Sequence, residues 1–231
     1  MPALSLKKLY PVIHCVSPEK QGVGHALANT RIAMKNGADG IFLIGHEIHF
    51  MDLFYIYEQV RKQFHEIWIG INFLDISHQK DWDKLSAVAK GCYNLNALWI
   101  DYVPNERLAL PPSIQVFGGV AFKYINPHLD GEDLKKACRK AVQCIDVVTT
   151  SGDKTGSAPN VTKLKSIKDA IGKNFPLALA SGVDSINVSD FLELVDIFIV
   201  ASSICEIRHD LDDAEYLEEV KVHELAQIIH S

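Results

Sequence analysis

Short β-branched, apolar runs alternate along the chain with longer stretches in which apolar residues return every third or fourth position. Such alternation is the pattern of a parallel α/β fold. The strand-like runs fall at residues 11–15, 40–44, 67–71, 97–100, 114–117, 145–150, 176–180 and 196–200. Helical spacing predicts helices over about 25–36, 51–64, 81–90, 131–143, 161–171 and 189–194. In the first of these Leu27, Ile32 and Ala33 recur at helical spacing, and Asn36-Gly37 supplies a stop. The stretch 103–112 is too proline-marked for a full helix and is expected to be a short or irregular crossover. A last amphipathic helix over about 213–229 places Leu217, Val220, Leu225 and Ile228 on one side. Eight strands in this length fit a closed (β/α)8 TIM barrel, one α/β domain over residues 1–231. An open doubly wound sheet is the alternative. No tight repeat is visible beyond the alternation itself.

In such a barrel, function gathers on the loops that follow the strands, so polar residues just past the apolar runs are the candidates. They are His14, His46 with Glu47, Asn72 with Asp75, Asp101, Lys123, and the small polar residues after strands six to eight. The last group is the most specific. Strand six is followed by Thr150-Ser151-Gly152-Asp153-Lys154-Thr155-Gly156-Ser157, strand seven by Ser181-Gly182-Val183-Asp184, and strand eight by Ala201-Ser202-Ser203-Ile204. Glycine permits close backbone approach, and successive N–H groups with hydroxyls surround a phosphate, helped by a following helix N-terminus. The pattern predicts a cradle for a phosphorylated small molecule from Ser151, Gly152, Thr155, Gly156, Ser181, Gly182, Ser202 and Ser203. The bland alternative is that the glycines merely serve turns.

Asp101 ends an apolar run, where a carboxylate is costly unless paired or used. It is either a general base raised toward neutrality by desolvation or the partner of Lys123 in an ion pair. Lys123 can hold a phosphate, neutralise an oxyanion or act as an amine nucleophile. Asn72 would orient the ligand, and His46 or Glu47 would supply a second acid–base group. A metal held by His14, His46, Glu47 and Asp101 is a weaker reading, because His46-Glu47-Ile48-His49 lacks the His-Glu-x-x-His spacing. Trp68 and Trp99 read as core. Phe54, Tyr55 and Tyr57 read as packing toward the barrel, with part of that face available for a homo-oligomer contact. His25, His65, His223 and His230, like Lys7-Lys8 and Lys163-Leu164-Lys165, read as surface.

Composition narrows the classes. The 231 residues are 48% hydrophobic and 23% charged, enough for a large core without staples. A net charge of −6 with no basic run argues against nucleic acid as a partner. The five scattered cysteines form no Cys-x-x-Cys pair, so neither a disulfide framework nor a structural zinc is expected. The start lacks the apolar region of a signal peptide, and no stretch approaches the ~20 apolar residues of a membrane span. A soluble protein of a reducing cytoplasm is the expectation.

The chain also resembles a known family. The resemblance is carried by Asn36-Gly37-Ala38-Asp39-Gly40-Ile41, Gly70-Ile71-Asn72 and Val116-Phe117-Gly118-Gly119-Val120-Ala121-Phe122-Lys123. It continues through residues 146–152 with Thr155-Gly156, then Ser181-Gly182-Val183 and Ile199-Val200-Ala201-Ser202-Ser203. In these it is similar to the BtpA family of barrel proteins, named for a photosystem I biogenesis factor. The resemblance implies a (β/α)8 fold and a phosphate-type pocket around Gly152, Gly156, Gly182 and Ser202, with phosphoribosyltransferase-like labels but no settled reaction. This chain departs from the family pattern after strand two, where Ile44-Gly45 precede His46-Glu47 instead of Glu-Asn. It departs again where family members tend to carry arginines, having Leu74 or Asp75 after strand three and Trp99 within strand four.

Two classes of function follow. One is an enzyme acting on a phosphorylated sugar or nucleotide by acid–base or glycosyl-transfer chemistry, with an FMN-binding barrel as a variant. The other is a non-catalytic assembly or regulatory factor on a barrel scaffold. The sequence specifies no cofactor.

Overall fold

A computed structural model describes residues 7–76, 78–154, 156–208 and 214–231. Eight parallel strands close on themselves: β1 (Lys8–His14), β2 (Gly40–Ile44), β3 (Trp68–Asn72), β4 (Ala97–Ile100), β5 (Gln115–Gly119), β6 (Val147–Thr150), β7 (Leu177–Ala180) and β8 (Ile197–Val200). β8 pairs back onto β1, with Tyr10 opposite Ile199, so the sheet is a barrel and not an open sheet. Around it lie α1 (Gly22–Lys35), α2 (Phe50–Gln63), α3 (Trp82–Gly91), α4 (Gly131–Cys144), α5 (Val161–Ile171) and α6 (Glu219–Ile229). No helix forms between β4 and β5, where prolines mark the sequence.

Two elements differ from the sequence expectation. The helix expected at 189–194 is a single 3-10 turn, Val188–Asp190. The backbone there closes three-residue turns, with Asp190 N–H donating to Asn187 O, Phe191 N–H to Val188 O and Leu194 N–H to Phe191 O, so the tighter 3-10 pattern stands in place of an α-helix. The last helix begins at Glu219 and not near 213. The preceding residues instead form an antiparallel hairpin, β9 (Cys205–Arg208) with β10 (Ala214–Leu217). Leu217, which the helical spacing assigns to a helix face, ends β10 and is buried; its N–H donates to Asn29 Oδ1 on α1 at 2.7 Å.

Strand alternation sorts the core into two layers. Leu9 and Ile13 of β1 face the helices, while Tyr10 and Val12 face the barrel interior. The interior is an aromatic plug: Tyr10 stacks on Trp68 at 4.0 Å, and Phe42 meets Trp68, Trp99 and Phe117 edge-on at 5.2 to 5.4 Å. Gly70 makes room for it, since a Cβ there would lie 2.1 Å from the Phe42 ring.

At the N-terminal end of the strands one device occurs four times. The residue just before each even-numbered strand accepts a backbone N–H from the strand before it. Asp39 takes Leu9 N at 2.8 Å, Asn96 takes Ile69 N at 2.9 Å, Asp146 takes Val116 N at 2.8 Å and Asp196 takes Leu177 N at 2.9 Å. Each also meets a basic side chain: Lys8 and His230 on Asp39, Arg61 on Asn96, Arg107 on Asp146 and Lys168 on Asp196. Among the described residues no helix is long and apolar enough to cross a membrane.

Candidate functional site

The inward parity that builds the plug continues past it toward the C-terminal mouth. Counting by twos from Tyr10 and Val12 gives His14; from Phe42 and Ile44, His46; from Trp68 and Gly70, Asn72; from Ala97 and Trp99, Asp101. All four line a cavity of about 340 Å³ above the plug. Its floor and walls are apolar, built from Val12, Ile44, Leu74, Trp99, Phe122 and Ile199. Where the resemblance leads one to expect arginines, Leu74 and Trp99 thus present apolar surface, while Asp75 accepts the N–H of Phe50 at the start of α2.

On one wall, Asn72 Nδ2 donates to Asp101 Oδ1 at 3.3 Å. Asn72 is 1% exposed, and its Oδ1 finds no partner among the described residues. Burial raises the Asp101 carboxyl above its ordinary value, against the lowering effect of the Asn72 bond and the Lys123 charge. Burial likewise lowers the Lys123 amine, while the Asp101 and Tyr124 charges raise it. Asp101 is thus a desolvated carboxyl that also feels the charge of the lysine.

Lys123 sits on a constrained loop. Ala121 and Tyr124 on either side have φ of 48° and 63°, left-handed values that cost non-glycine residues about 1 kcal/mol or more. The loop is held from below. Ser151 Oγ accepts the N–H of Lys123 at 2.8 Å, and the Lys163 ammonium donates to the carbonyls of Ala121, Ser151 and Pro127 at 2.6, 2.8 and 3.0 Å. Lys163 is therefore no solvated surface residue, and burial lowers its amine.

Across the mouth lie the loops after β7 and β8. Gly156, Ser181, Gly182, Ser202 and Ser203 all line the cavity. The backbone N–H groups of Gly182, Val183, Ser202 and Ser203 find no acceptor among the described residues. Ser203 Oγ donates to Val183 O, and Ser181 Oγ accepts from Gly156 N at 3.2 Å, so these hydroxyls tie the loops together. Gly182, with φ of 73°, lies so close to the β6 loop that a Cβ would sit 2.1 Å from Ala158 N.

Other candidates stand elsewhere. Ser151 is fully buried under the Lys123 loop, and a Cβ on Gly152 would lie 1.9 Å from Ser157 O; neither lines the cavity. Glu47 is exposed beyond the cavity lining. Thr155 lies outside the described residues.

Sequence reasoning missed Glu215. It stands on β10, and its Oε2 lies 2.6 Å from Nδ1 of His14. That hydrogen bond is the main reason the Glu215 carboxyl is lowered. The His46 ring meets His14 edge-on at 5.0 Å, and its imidazole is lowered by packing and by the His14 and Lys123 charges. His25, expected at the surface, is 2% exposed; its Nε2 lies 2.7 Å from Glu215 O and anchors the hairpin to α1. Among the described residues no group of three or more His, Cys, Asp or Glu is arranged to hold a metal ion.

A closed (β/α)8 architecture with its cavity at the C-terminal mouth defines a TIM-barrel protein. Within that class, the BtpA family model matches residues 95–231, and the chain belongs to this family. No curated protein matches the chain in sequence. Among solved structures, a native KDPGal structure is 13% identical with a TM-score of 0.66, covering 95% of this chain and 92% of that one. Thiamine phosphate pyrophosphorylase from Pyrococcus furiosus is 14% identical (TM-score 0.62, covering 97% and 96%). Tryptophan synthase from Mycobacterium tuberculosis is 12% identical (TM-score 0.65, covering 98% and 94%). These likenesses establish the fold.

Proposed function

We propose that the mouth cavity binds a phosphorylated sugar or nucleotide and acts on it by acid–base chemistry. The observation that carries this reading is the set of four backbone N–H groups with no acceptor among the described residues, on Gly182, Val183, Ser202 and Ser203, all of which line the cavity. Unused donors converging from two adjacent loops suit an anion with several oxygens, and barrels frequently place phosphate after strands seven and eight. The Asp184 carboxylate also lines the cavity, but it is engaged by the N–H groups of its own turn. The rest of the ligand would lie over the apolar floor, with its reacting atoms toward Asp101, Asn72 and Lys123. In that arrangement Asp101 exchanges a proton, Lys123 stabilises negative charge, and Asn72 fixes the carboxyl.

Thermal unfolding against phosphate, ribose 5-phosphate, phosphoribosyl pyrophosphate, nucleotides and FMN tests the reading. A ligand at ~100 times its dissociation constant adds about 2.7 kcal/mol of stability. Ser202→Asp puts a negative charge at the open donors from an exposed position and should remove that gain while leaving the unliganded melting temperature nearly unchanged. Gly182 is unsuitable for this purpose, because any side chain there collides with the β6 loop. If no phosphorylated compound raises the melting temperature, the reading falls, and the non-catalytic binding factor takes its place.

A further inference from the structure

We propose that His14 is a proton-transfer residue of the mouth cavity and that the β9–β10 hairpin exists in part to hold it, with Glu215 as the positioning residue. This rests on the reading of the cavity as an acid–base site. His14 reaches the cavity from the end of β1, the strand that pairs with β8, and lines it together with Ser202 and Ser203 of the loop after β8. Its Nδ1 is 2.6 Å from Glu215 Oε2. A carboxylate at that distance can only accept, so Nδ1 carries the proton and Nε2 is left for the cavity.

Glu215 is not a casual surface neighbour. The strand that bears it is fastened to α1 by two polar side chains that are almost fully buried. Asn29 Oδ1 accepts Leu217 N at 2.7 Å, and His25 Nε2 lies 2.7 Å from Glu215 O itself. A main chain fixed at both 215 and 217 leaves the Glu215 side chain little freedom except toward His14. The triad logic of an imidazole oriented by a carboxylate applies, with His25 and Asn29 setting the position of the carboxylate.

The chemistry balances within the cavity. Nε2 of His14 takes a proton from an O–H or C–H of the bound ligand, and the imidazolium is stabilised by Glu215. The electron pair of the broken bond stays on the ligand, where the Lys123 ammonium across the barrel can neutralise it. The proton returns from Nε2 to the product, while Asp101 serves the other side of the ligand. Two acid–base groups on separate walls suit a phosphorylated hydroxy or carbonyl compound in which one proton is removed and another is delivered.

Nitrogen-15 NMR of the histidine side chains decides this, with His14→Gln supplying the assignment. In the unmodified protein the neutral His14 ring is expected as the Nδ1–H form with Nε2 unprotonated. Glu215→Ala should return it to the intrinsically favoured Nε2–H form. Glu215→Gln, whose side-chain oxygen still accepts, should keep the Nδ1–H form. A merely structural role of residue 215 would not separate Ala from Gln in this way. An Nε2–H ring in the unmodified protein, or no difference between the two variants, overturns the proposal. Saturating inorganic phosphate should then move the Nε2 signal and not Nδ1; bound phosphate that leaves Nε2 unmoved also overturns it. Failure of phosphate to move any signal counts against the cradle alone, and the ring forms still judge the dyad.

Discussion

Asp101 stands where a carboxyl is needed by the proposed chemistry and disfavoured by its surroundings. Burial holds its carboxyl above the ordinary value, so between the usual aspartate range and that raised value the native chain keeps a proton that the unfolded chain has released. That contribution to stability is complete below the usual aspartate range near ~3.9 and fades as pH rises through the raised native value. Asp101→Asn removes the penalty. It should be more stable than the parent at neutral pH, with the gap closing as pH falls toward the usual aspartate range, while acid–base activity disappears. Urea titrations from pH 4 to 8 check it, and a variant less stable at neutral pH would contradict the sign. At this scale much of the cavity lining was legible, because His14, His46, Asn72 and Asp101 follow from reading polar residues just past apolar runs. The stronger signal was parity: each falls two residues beyond an inward-facing core position.

Elements explain what single residues could not announce. Lys163 lies on α5 between residues that read as an ordinary amphipathic helix, and periodicity alone gives the face it occupies. It cannot show that carbonyls from two separate loops converge on the ammonium, because Ala121 and Pro127 are some forty residues away in the chain. Lys163→Met should cost about 1–2 kcal/mol, allowing for partial solvent access, and should weaken ligand affinity by loosening the left-handed turns around Lys123. A melting curve and a ligand titration check both, and unchanged affinity would show that the Lys123 loop holds its shape alone. The hairpin was hidden for a similar reason. Cys-Glu-Ile-Arg and Ala-Glu-Tyr-Leu are short and mixed in polarity, and Leu217 also suits the helical spacing of the segment that follows. What makes β10 a strand is its partner and the buried Asn29, neither of which is local.

At the scale of the whole molecule, the fourfold arrangement at the base of the strands clasps the barrel two strands at a time. The eight runs and most helices were readable from periodicity. This repeat was not, because it consists of one acceptor per pair of strands, and in one case Asn replaces Asp. Asp39→Ala, Asn96→Ala, Asp146→Ala and Asp196→Ala should each cost about 1–3 kcal/mol by leaving a strand N–H unpaired, and pairs of them should add. Chemical denaturation measures this, and a near-zero cost at two or more positions would show that water replaces the acceptors. The Asp39 carboxyl is held below its ordinary value by Lys8, Leu9 N–H and His230. Its share of stability is therefore present above the usual carboxylate range and lost as pH falls through the lowered native value. Asp39→Asn should blunt that loss in acid. The repetition has a further meaning for how the chain can be divided. Two of the four acceptors precede the helix-free crossover near Glu106 and two follow it, so each half of the polypeptide carries its own strand-pairing clasps. The half before the crossover carries His14, His46, Asn72 and Asp101, and the half after it carries Lys123 and the backbone donors of Gly182, Val183, Ser202 and Ser203. A ligand held as proposed would therefore touch residues of both halves.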